Sequence, residues 1–404
     1  MPELRFPEFT EKWKSTKFAD LFEFLSNNTL SRADLSDSGT VKNIHYGDVL
    51  VKFGDVVSAK DNTIPFVKYK SQLGKNTDYL KNGDIIIADT AEDDTVGKAT
   101  EIRNISNESV VSGLHTIPCR AKESFAGGFL GYYLNSSAYR FQLYPLMQGI
   151  KVTSISKGNI SKTELKFPSV NEQEKIAGML SLVDKKIEAQ RQIIDTLKLY
   201  KRGVFNSFFD IYSSSLKTCR IGDFACIFGG YAFKSSEYIE NGDYKIITIS
   251  AVTGERFICI DSCNTVSTIP KDLQDNQILE KGDILISLTG NVGRVSLVND
   301  EMCLLNQRVA KLVPSNKNMS EYIYQILSSF DFEVAMINCG QGAAQKNIKN
   351  SDILEYQFLM PTDENLFVNF TNMLKLIDDK IRICTAQLEL FNDQKLALLQ
   401  KMFI

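Results

Sequence analysis

The chain has 404 residues, 43% of them hydrophobic and 24% charged, which is ordinary for globular protein and long enough to build a core without disulfide staples or a metal. Lys and Arg total 46 and Asp and Glu 49, so the formal net charge is -3. That balance excludes a protein that coats nucleic acid by bulk charge, while leaving room for a local basic surface. At roughly 150 residues per domain, two or three domains are expected. The opening Met1-Pro2-Glu3-Leu4-Arg5-Phe6-Pro7 lacks the apolar core of a signal peptide, and no run of about 18 apolar residues follows. A membrane span is therefore not expected. The eight cysteines form no close CxxC pair and only His45 and His115 could assist them, so no metal site is expected and buried free thiols in a reducing cytoplasm are.

In chain order, a first globular region is expected over about 13–167, rich in strands. Asp84-Ile85-Ile86-Ile87-Ala88 reads as a buried strand, with Asp84 capping the turn before it. Residues 129–143 read as a core-facing helix. Pro168-Ser169-Val170-Asn171-Glu172-Gln173-Glu174 then opens a long helix over about 172–208, with Asn171 and Glu174 fitting a capping box; at 1.5 Å per residue it runs roughly 55 Å. Its seam is Leu180, Val183, Ile187, Gln190, Ile194, Leu197, Lys201, Val204 and Phe208, at steps of three and four. A second region is expected over about 216–358, with a buried strand at 283–288 and a helix carrying Ile323, Ile326, Leu327, Phe330 and Val334. A second long helix follows Pro361, with Thr362 or Asp363 as its cap.

The chain repeats itself. Lys17-Phe18-Ala19-Asp20-Leu21 matches Arg220-Ile221-Gly222-Asp223-Phe224 at an offset of 203, and Leu80-Lys81-Asn82-Gly83-Asp84 matches Leu279-Glu280-Lys281-Gly282-Asp283 at 199. Asn159-Ile160 matches Asn347-Ile348 at 188. Drifting offsets are what a duplicated scaffold with loops of different length produces. The helix seam recurs at a constant 194: Leu374, Ile377, Ile381, Cys384, Leu388, Phe391, Lys395, Leu398 and Met402, so that even the polar break at Lys201 returns at Lys395. Each seam needs a partner, and the repeat is the natural one, paired antiparallel.

No chemistry of an enzyme assembles from the sequence. GxxxxGK[ST], HExxH and GxSxG are absent, and Gly127-Gly128-Phe129-Leu130-Gly131 lacks dinucleotide-binding spacing. The acidic loop Asp89, Glu92, Asp93 and Asp94 has no counterpart in the second half, where Ser287, Leu288, Thr289, Gly290 and Asn291 stand, which argues against a metal-dependent nuclease. What the loops carry instead is amide, hydroxyl, guanidinium and ammonium groups beside glycines. In the first region these are Asn28, Arg32, His45, Tyr46, Lys60, Thr90 and Lys98; in the second, Tyr231, Lys234, Ser236, Thr289, Asn291, Arg294, Gln307, Arg308, Gln345 and Lys346. Arg suits guanine edges and Asn or Gln adenine edges in the major groove, while Lys, Ser, Thr and backbone N–H groups contact phosphate.

This plan resembles the specificity subunit (HsdS) of Type I restriction-modification systems across nearly the whole chain. The resemblance rests on Leu4-Arg5-Phe6-Pro7-Glu8-Phe9, Tyr46-Gly47-Asp48, the two Gly-Asp strand openings, Leu305-Asn306-Gln307-Arg308-Val309, and above all Phe167-Pro168-Ser169-Val170-Asn171-Glu172-Gln173-Glu174-Lys175-Ile176 followed by Val183-Asp184-Lys185-Lys186-Ile187. The second copy departs from the motif, with Pro361-Thr362-Asp363-Glu364-Asn365, and keeps Ile377-Asp378-Asp379-Lys380-Ile381. The resemblance implies an α+β chain: two similar DNA target recognition domains, 1–170 and 211–360, separated by long antiparallel coiled-coil helices at 171–210 and 361–404. It implies no catalytic role and no cofactor. Two methyltransferase subunits would bring S-adenosylmethionine and methylate adenine N6, and two motor-nuclease restriction subunits would bring ATP and Mg. The partners would be these subunits and double-stranded DNA, with a split target that is asymmetric because the two sets of loops differ. The helices would serve as spacer and interface. Rival readings are a DNA-binding decoy without partners and a coiled-coil scaffold that binds no DNA.

Overall fold

The structure, a computed structural model, describes residues 2–149, 151–261, 263–339 and 347–404. The chain divides into two units. The first comprises residues 1–191 and 387–404, the second 192–386. Each therefore contains one globular α+β domain and a stretch of both long helices.

The first long helix is Val170–Ile211 and the second Glu364–Lys401. Their 42 and 38 residues correspond to about 63 and 57 Å at 1.5 Å per residue. In the first unit Leu180, Val183 and Ile187 share a core with Leu398, Leu399, Met402 and Phe403 from the end of the second helix. In the second unit Phe208, near the end of the first helix, stacks on Phe370 near the start of the second, ring centroids 3.8 Å apart, over a core containing Leu374. Early residues of one helix meet late residues of the other, so the pair is antiparallel, as the seam spacing predicts.

The helix starts differ from expectation in one copy. Asp363 caps the second helix, its Oδ1 accepting from the Leu366 N–H at 2.8 Å. The first helix begins two residues earlier than an Asn171 cap would allow, and the Gln173 N–H donates to the Ser169 carbonyl at 3.0 Å. The characteristic Glu172-Gln173 pair is a pin rather than a cap. Buried Glu172 accepts from Arg5 Nε at 2.7 Å, and the Gln173 amide accepts from the Ala126 N–H at 3.0 Å and donates to the Pro168 carbonyl at 2.9 Å. At the position 194 residues on, Phe367 takes the place of Gln173 and packs 4.8 Å from the ring of Tyr322. An aromatic contact thus replaces a polar one, which accounts for the departing motif.

The two domains share a plan. In the first, Phe22–Phe24, Thr116–Ala121, Ile85–Ala88, Ala99–Arg103 and Val56–Ser58 form one sheet in that order; Ser109–Ser112, Val41–Ile44, Phe66–Val67 and Leu35–Ser36 form another. In the second, Ala225–Gly229, Val309–Pro314, Ile284–Ser287 and Val295–Leu297 repeat the first order, and Cys303–Leu305 pairs parallel to Tyr244–Ile247 as Ser109–Ser112 pairs parallel to Val41–Ile44. Asp84 and Asp283 cap their strand turns as expected, each accepting at 2.7 Å from the N–H three residues earlier, and each also binds a cation of the neighbouring strand, Arg120 and Lys311 respectively.

Several expectations need correction. The 129–143 helix breaks into Phe129–Asn135 and Ser137–Arg140, because the Ser136 hydroxyl bonds back to the Tyr133 carbonyl at 2.6 Å. Likewise Ser320–Leu327 and Phe330–Cys339 are separate helices; Ser328 and Ser329 interrupt them, leaving Phe330 and Val334 exposed rather than core-facing. Cys226, Cys259 and Cys339 are exposed, so burial does not describe all the cysteines. The partner of Ile348 is Ile155, not Ile160: the Ile155 N–H donates to the Asp89 carbonyl as the Ile348 N–H donates to that of Leu288. The late offset is thus 193 instead of 188.

Candidate nucleic-acid interface

At one end of each domain's sheets, backbone hydrogen bonds tie several loops into a rim. In the first domain the Asn28 N–H donates to Ser112 O at 2.8 Å, Tyr46 N–H to Leu114 O at 3.4 Å, Asp89 N–H to His115 O at 3.1 Å and Ile155 N–H to Asp89 O at 2.8 Å, while Thr90 pairs with Ser154. In the second domain the Tyr231 N–H donates to Leu305 O at 2.8 Å, Gln307 N–H to Tyr231 O at 2.9 Å, Leu288 N–H to Arg308 O at 3.0 Å and Ile348 N–H to Leu288 O at 3.0 Å, while Thr289 pairs with Asn347. The two rims have equivalent positions: Asn28 and Tyr231, Asp89 and Leu288, Thr90 and Thr289, Ser154 and Asn347, and His115 and Arg308.

Apart from Thr90 and Thr289, the side chains at these positions differ. On the first rim, Thr90 Oγ1 donates to Asp89 Oδ1 at 2.8 Å, and His115 Nδ1 lies 3.2 Å from the same oxygen. His115 sits edge-on to Tyr46 at 5.3 Å, and Tyr46 stacks at a tilt on His45 at 4.6 Å. Arg32 reaches this group through a bidentate pair with Asp48 at 3.0 and 2.7 Å, which holds the guanidinium above its ordinary pKa. On the second rim, the Tyr231 hydroxyl donates to Asp272 at 2.9 Å, buried Thr289 Oγ1 has no partner among the described residues, and Gln307 and Arg308 are exposed. Lys234 and Ser236 are exposed on the loop after Tyr231.

Other residues expected to face DNA lie elsewhere or are committed to the fold. Asn28 is 5% exposed, its amide donating to Asn43 Oδ1 at 2.7 Å and to Ser112 O at 2.8 Å. Lys98 donates to Leu50 O at 2.7 Å, and burial pulls its pKa below the ordinary value. Arg294 lies 4.0 Å from Glu333. Lys60 is exposed just past Val56–Ser58, and Asn291 is exposed with its carbonyl accepting from the Ser287 hydroxyl. Gln345 and Lys346 lie outside the described residues. Sequence reasoning missed His115 as a rim group. The available signal was its place two residues after Gly113, where the structure gives it a left-handed φ of 53°, a conformation His tolerates better than most residues.

His45 is expected to make the first rim pH-sensitive. It is buried, and its Nδ1 accepts from the Gly47 N–H at 3.3 Å to cap the helix Tyr46–Val51. Burial, then the nearby Arg32 charge, lower its pKa. In acid the folded state thus takes up a proton at this ring less readily than the unfolded state does. Its contribution to stability is present above the ordinary histidine value of 6.5 and is lost as pH falls below it. His45→Asn keeps a capping acceptor without a titrating ring. Thermal melts between about pH 8 and about pH 5 are expected to show a flatter acid decline in H45N than in the native chain; parallel declines would exclude His45 as the group responsible.

The comparisons with known proteins agree with this architecture. The family described as Type I restriction modification DNA specificity domain matches twice, over residues 10–199 and 214–389. Among curated relatives, the putative type I restriction enzyme MjaX specificity subunit of Methanocaldococcus jannaschii is 23% identical over 93% of this chain and 89% of its own length. The MjaVIII specificity subunit of the same organism is 25% identical over 58% of this chain, and the chain spans 60% of that relative's length. The EcoKI specificity subunit of Escherichia coli K12 is 22% identical over 77% of this chain and 71% of its own length. Among solved structures, the Type I restriction-modification S subunit from M. genitalium shares the fold at a TM-score of 0.57 and 15% identity, covering 100% of this chain and 99% of that one. A chain from a study of type I R-M complex assembly and conformational transition matches at 0.50 and 14% identity, covering 97% of both. With the domain matched twice and the same scaffold built twice, the chain belongs to the family of Type I restriction-modification DNA specificity subunits and serves in sequence recognition rather than catalysis.

Proposed function

We propose that the chain reads an asymmetric, bipartite site on double-stranded DNA, one half with each rim. The observation that carries this reading is the pair of rims with equivalent backbone positions and, at all but the Thr90 and Thr289 pair, different side chains. His115, Asp89 and Tyr46 present one chemical pattern and Arg308, Gln307 and Asn347 another. Identical half-sites would need matching groups at these positions. The recognition domains span about 1–170 and 211–360, and the helices at 171–210 and 361–404 are the spacer and the docking face for two methyltransferase subunits. Those subunits bind S-adenosylmethionine and methylate adenine N6; two restriction subunits add ATP- and Mg-dependent translocation and cleavage. The chain itself holds no cofactor. No helix among the described residues is long and apolar enough to cross a membrane, and we place the protein in the cytoplasm. Because its net charge is only -3, much of the phosphate contact comes from the partners, and the assembled complex has a steeper salt dependence than the isolated chain.

The DNA-facing set is Arg32, His45, Tyr46, Thr90, His115, Tyr231, Lys234, Ser236, Thr289, Gln307 and Arg308; Asn28 and Lys98 leave it because their polar groups serve the fold, Arg294 because it faces Glu333, and Lys60 and Asn291 because they stand apart from the rim contacts. The test compares two cations of the second rim in the assembled complex. Arg308→Ala is expected to relax the preference at one base of the second half-site by about 1–3 kcal/mol, whereas Lys234→Ala weakens all sequences alike and lowers the salt slope by about one. Binding titrations against single-base variants at several salt concentrations check this. Equal losses on every sequence for Arg308→Ala would remove it from base reading, and an unchanged first half-site is required in both variants.

A further inference from the structure

The polar breaks in the two seams are halves of one repeated device. Asp184 and Lys201 on the first helix correspond to Asp378 and Lys395 on the second at the offset of 194, and they pair crosswise. In the first unit Lys395 Nζ lies 2.6 Å from Asp184 Oδ1 and 2.6 Å from Asp55 Oδ2. The Tyr132 hydroxyl donates to Asp184 at 2.7 Å, its ring lies 5.6 Å from Lys395 Nζ, and Asn135 donates to Asp55 at 2.7 Å. In the second unit Lys201 Nζ lies 2.7 Å from Asp378 Oδ1, and Arg256 contacts Asp378 at 2.9 Å and Glu321 at 2.6 Å. Gln325 donates to Asp378 at 2.7 Å and to Glu321 at 2.8 Å, and the Tyr324 ring lies under both cations.

Each cluster therefore joins three bodies: one helix, the other helix and the globular domain. The domains use opposite handles. The first brings a carboxylate, Asp55, to the helix lysine; the second brings a guanidinium, Arg256, to the helix aspartate. The electrostatics follow. Burial lowers the Lys395 pKa, but Asp55 and Asp184 outweigh it and hold it above the ordinary value, whereas burial prevails at Lys201, whose single carboxylate is shared with Arg256.

We infer that these two clusters are mounts that fix the angle of each recognition domain on its stretch of the helix pair, and so determine the accepted separation of the half-sites without determining their sequences. The inference rests on the bipartite reading above. Charges with several fixed partners, here partly to fully buried, suit this role because directional contacts specify geometry, where an apolar contact would permit sliding. The mounts act through position alone, and none of these residues belongs to the rims.

The test is a charge reversal in the full complex with its methyltransferase subunits. Asp184→Lys with Lys395→Asp keeps an ion pair between the helices but sets a carboxylate at position 395 against Asp55. Methylation at the native spacing is expected to fall on the order of tenfold to a hundredfold, as for a displacement of about 1 Å in a positioned reaction. Sites with spacers one base pair longer or shorter are expected to gain in relative use, with both half-site sequences unchanged. Adding Asp55→Lys restores the opposite charges and is expected to restore native spacing. Asp55→Asn alone, the mildest variant, is expected to shift spacing in the same direction by a smaller factor, and it decides the matter if the double variant does not assemble. Native spacing preference in both the double variant and D55N, a changed half-site sequence, or failure of Asp55→Lys to restore an assembled double variant would each overturn the mount. If the unaltered complex methylates no split site, the bipartite reading fails and the mount with it.

Discussion

Leu180→Ala and Leu374→Ala are each expected to destabilise the chain by about 2–5 kcal/mol, the cost of removing a fully buried leucine and leaving a cavity. The two residues occupy equivalent seam positions, 194 apart, and both are 0% exposed. Leu180 packs in the core that includes Leu398 and Phe403; Leu374 packs in the core that includes Phe208 and Phe370. Each substitution therefore opens a hole where a helix pair meets its own domain. In denaturant unfolding followed by domain-specific probes, Leu180→Ala should lower the midpoint of the first unit more than that of the second, and Leu374→Ala the reverse. Loss of less than about 1 kcal/mol from either would mean that its seam contributes little to the fold.

Gly230→Ala is expected to weaken recognition of the second half-site strongly while its neighbour Gly229→Ala is tolerated. A Cβ on Gly230 would fall 2.1 Å from the Asn306 carbonyl oxygen and 2.2 Å from its carbon, both backbone atoms that cannot rotate aside. The strand segment leading into Gln307 and Arg308 would have to move, at a cost of about 1–3 kcal/mol and with loss of the rim geometry. A Cβ on Gly229 meets nothing within 4 Å. Binding to the native site should therefore weaken at least about tenfold for G230A, equivalent to about 1.4 kcal/mol or more, and remain near native for G229A. Equal behaviour of the two variants would place the rim elsewhere.

The scaffold was legible in the sequence where periodicity carries the information. The seam from Leu180 to Phe208 recurs at one offset, and buried apolar positions are what a helix pair demands of its residues. The strands opened by Asp84 and Asp283 were legible for a similar reason, since the Gly-Asp turn is a local device. What escaped reading depends on partners distant in sequence. Lys201 and Lys395 look like breaks in a seam, and only the fold brings Asp378 and Asp184 to them. Asn28 looks like a base reader because amides suit adenine, yet the fold uses its amide to hold Asn43 and Ser112. His115 looks like an isolated histidine until the sheet sets it beside Asp89 and Thr90. The serines at 136 and 328–329 interrupt helices that apolar spacing alone extends.

If each rim reads its own half of a split target, the two halves must be exchangeable one at a time. The most direct measurement maps methylated adenines across a genome carrying the full system, after residues 216–358 are replaced by the equivalent region of a relative with a different target. The first half-site and the spacer are expected to persist while the second half-site takes the relative's sequence. Simultaneous change in both halves, or in neither, would contradict that reading.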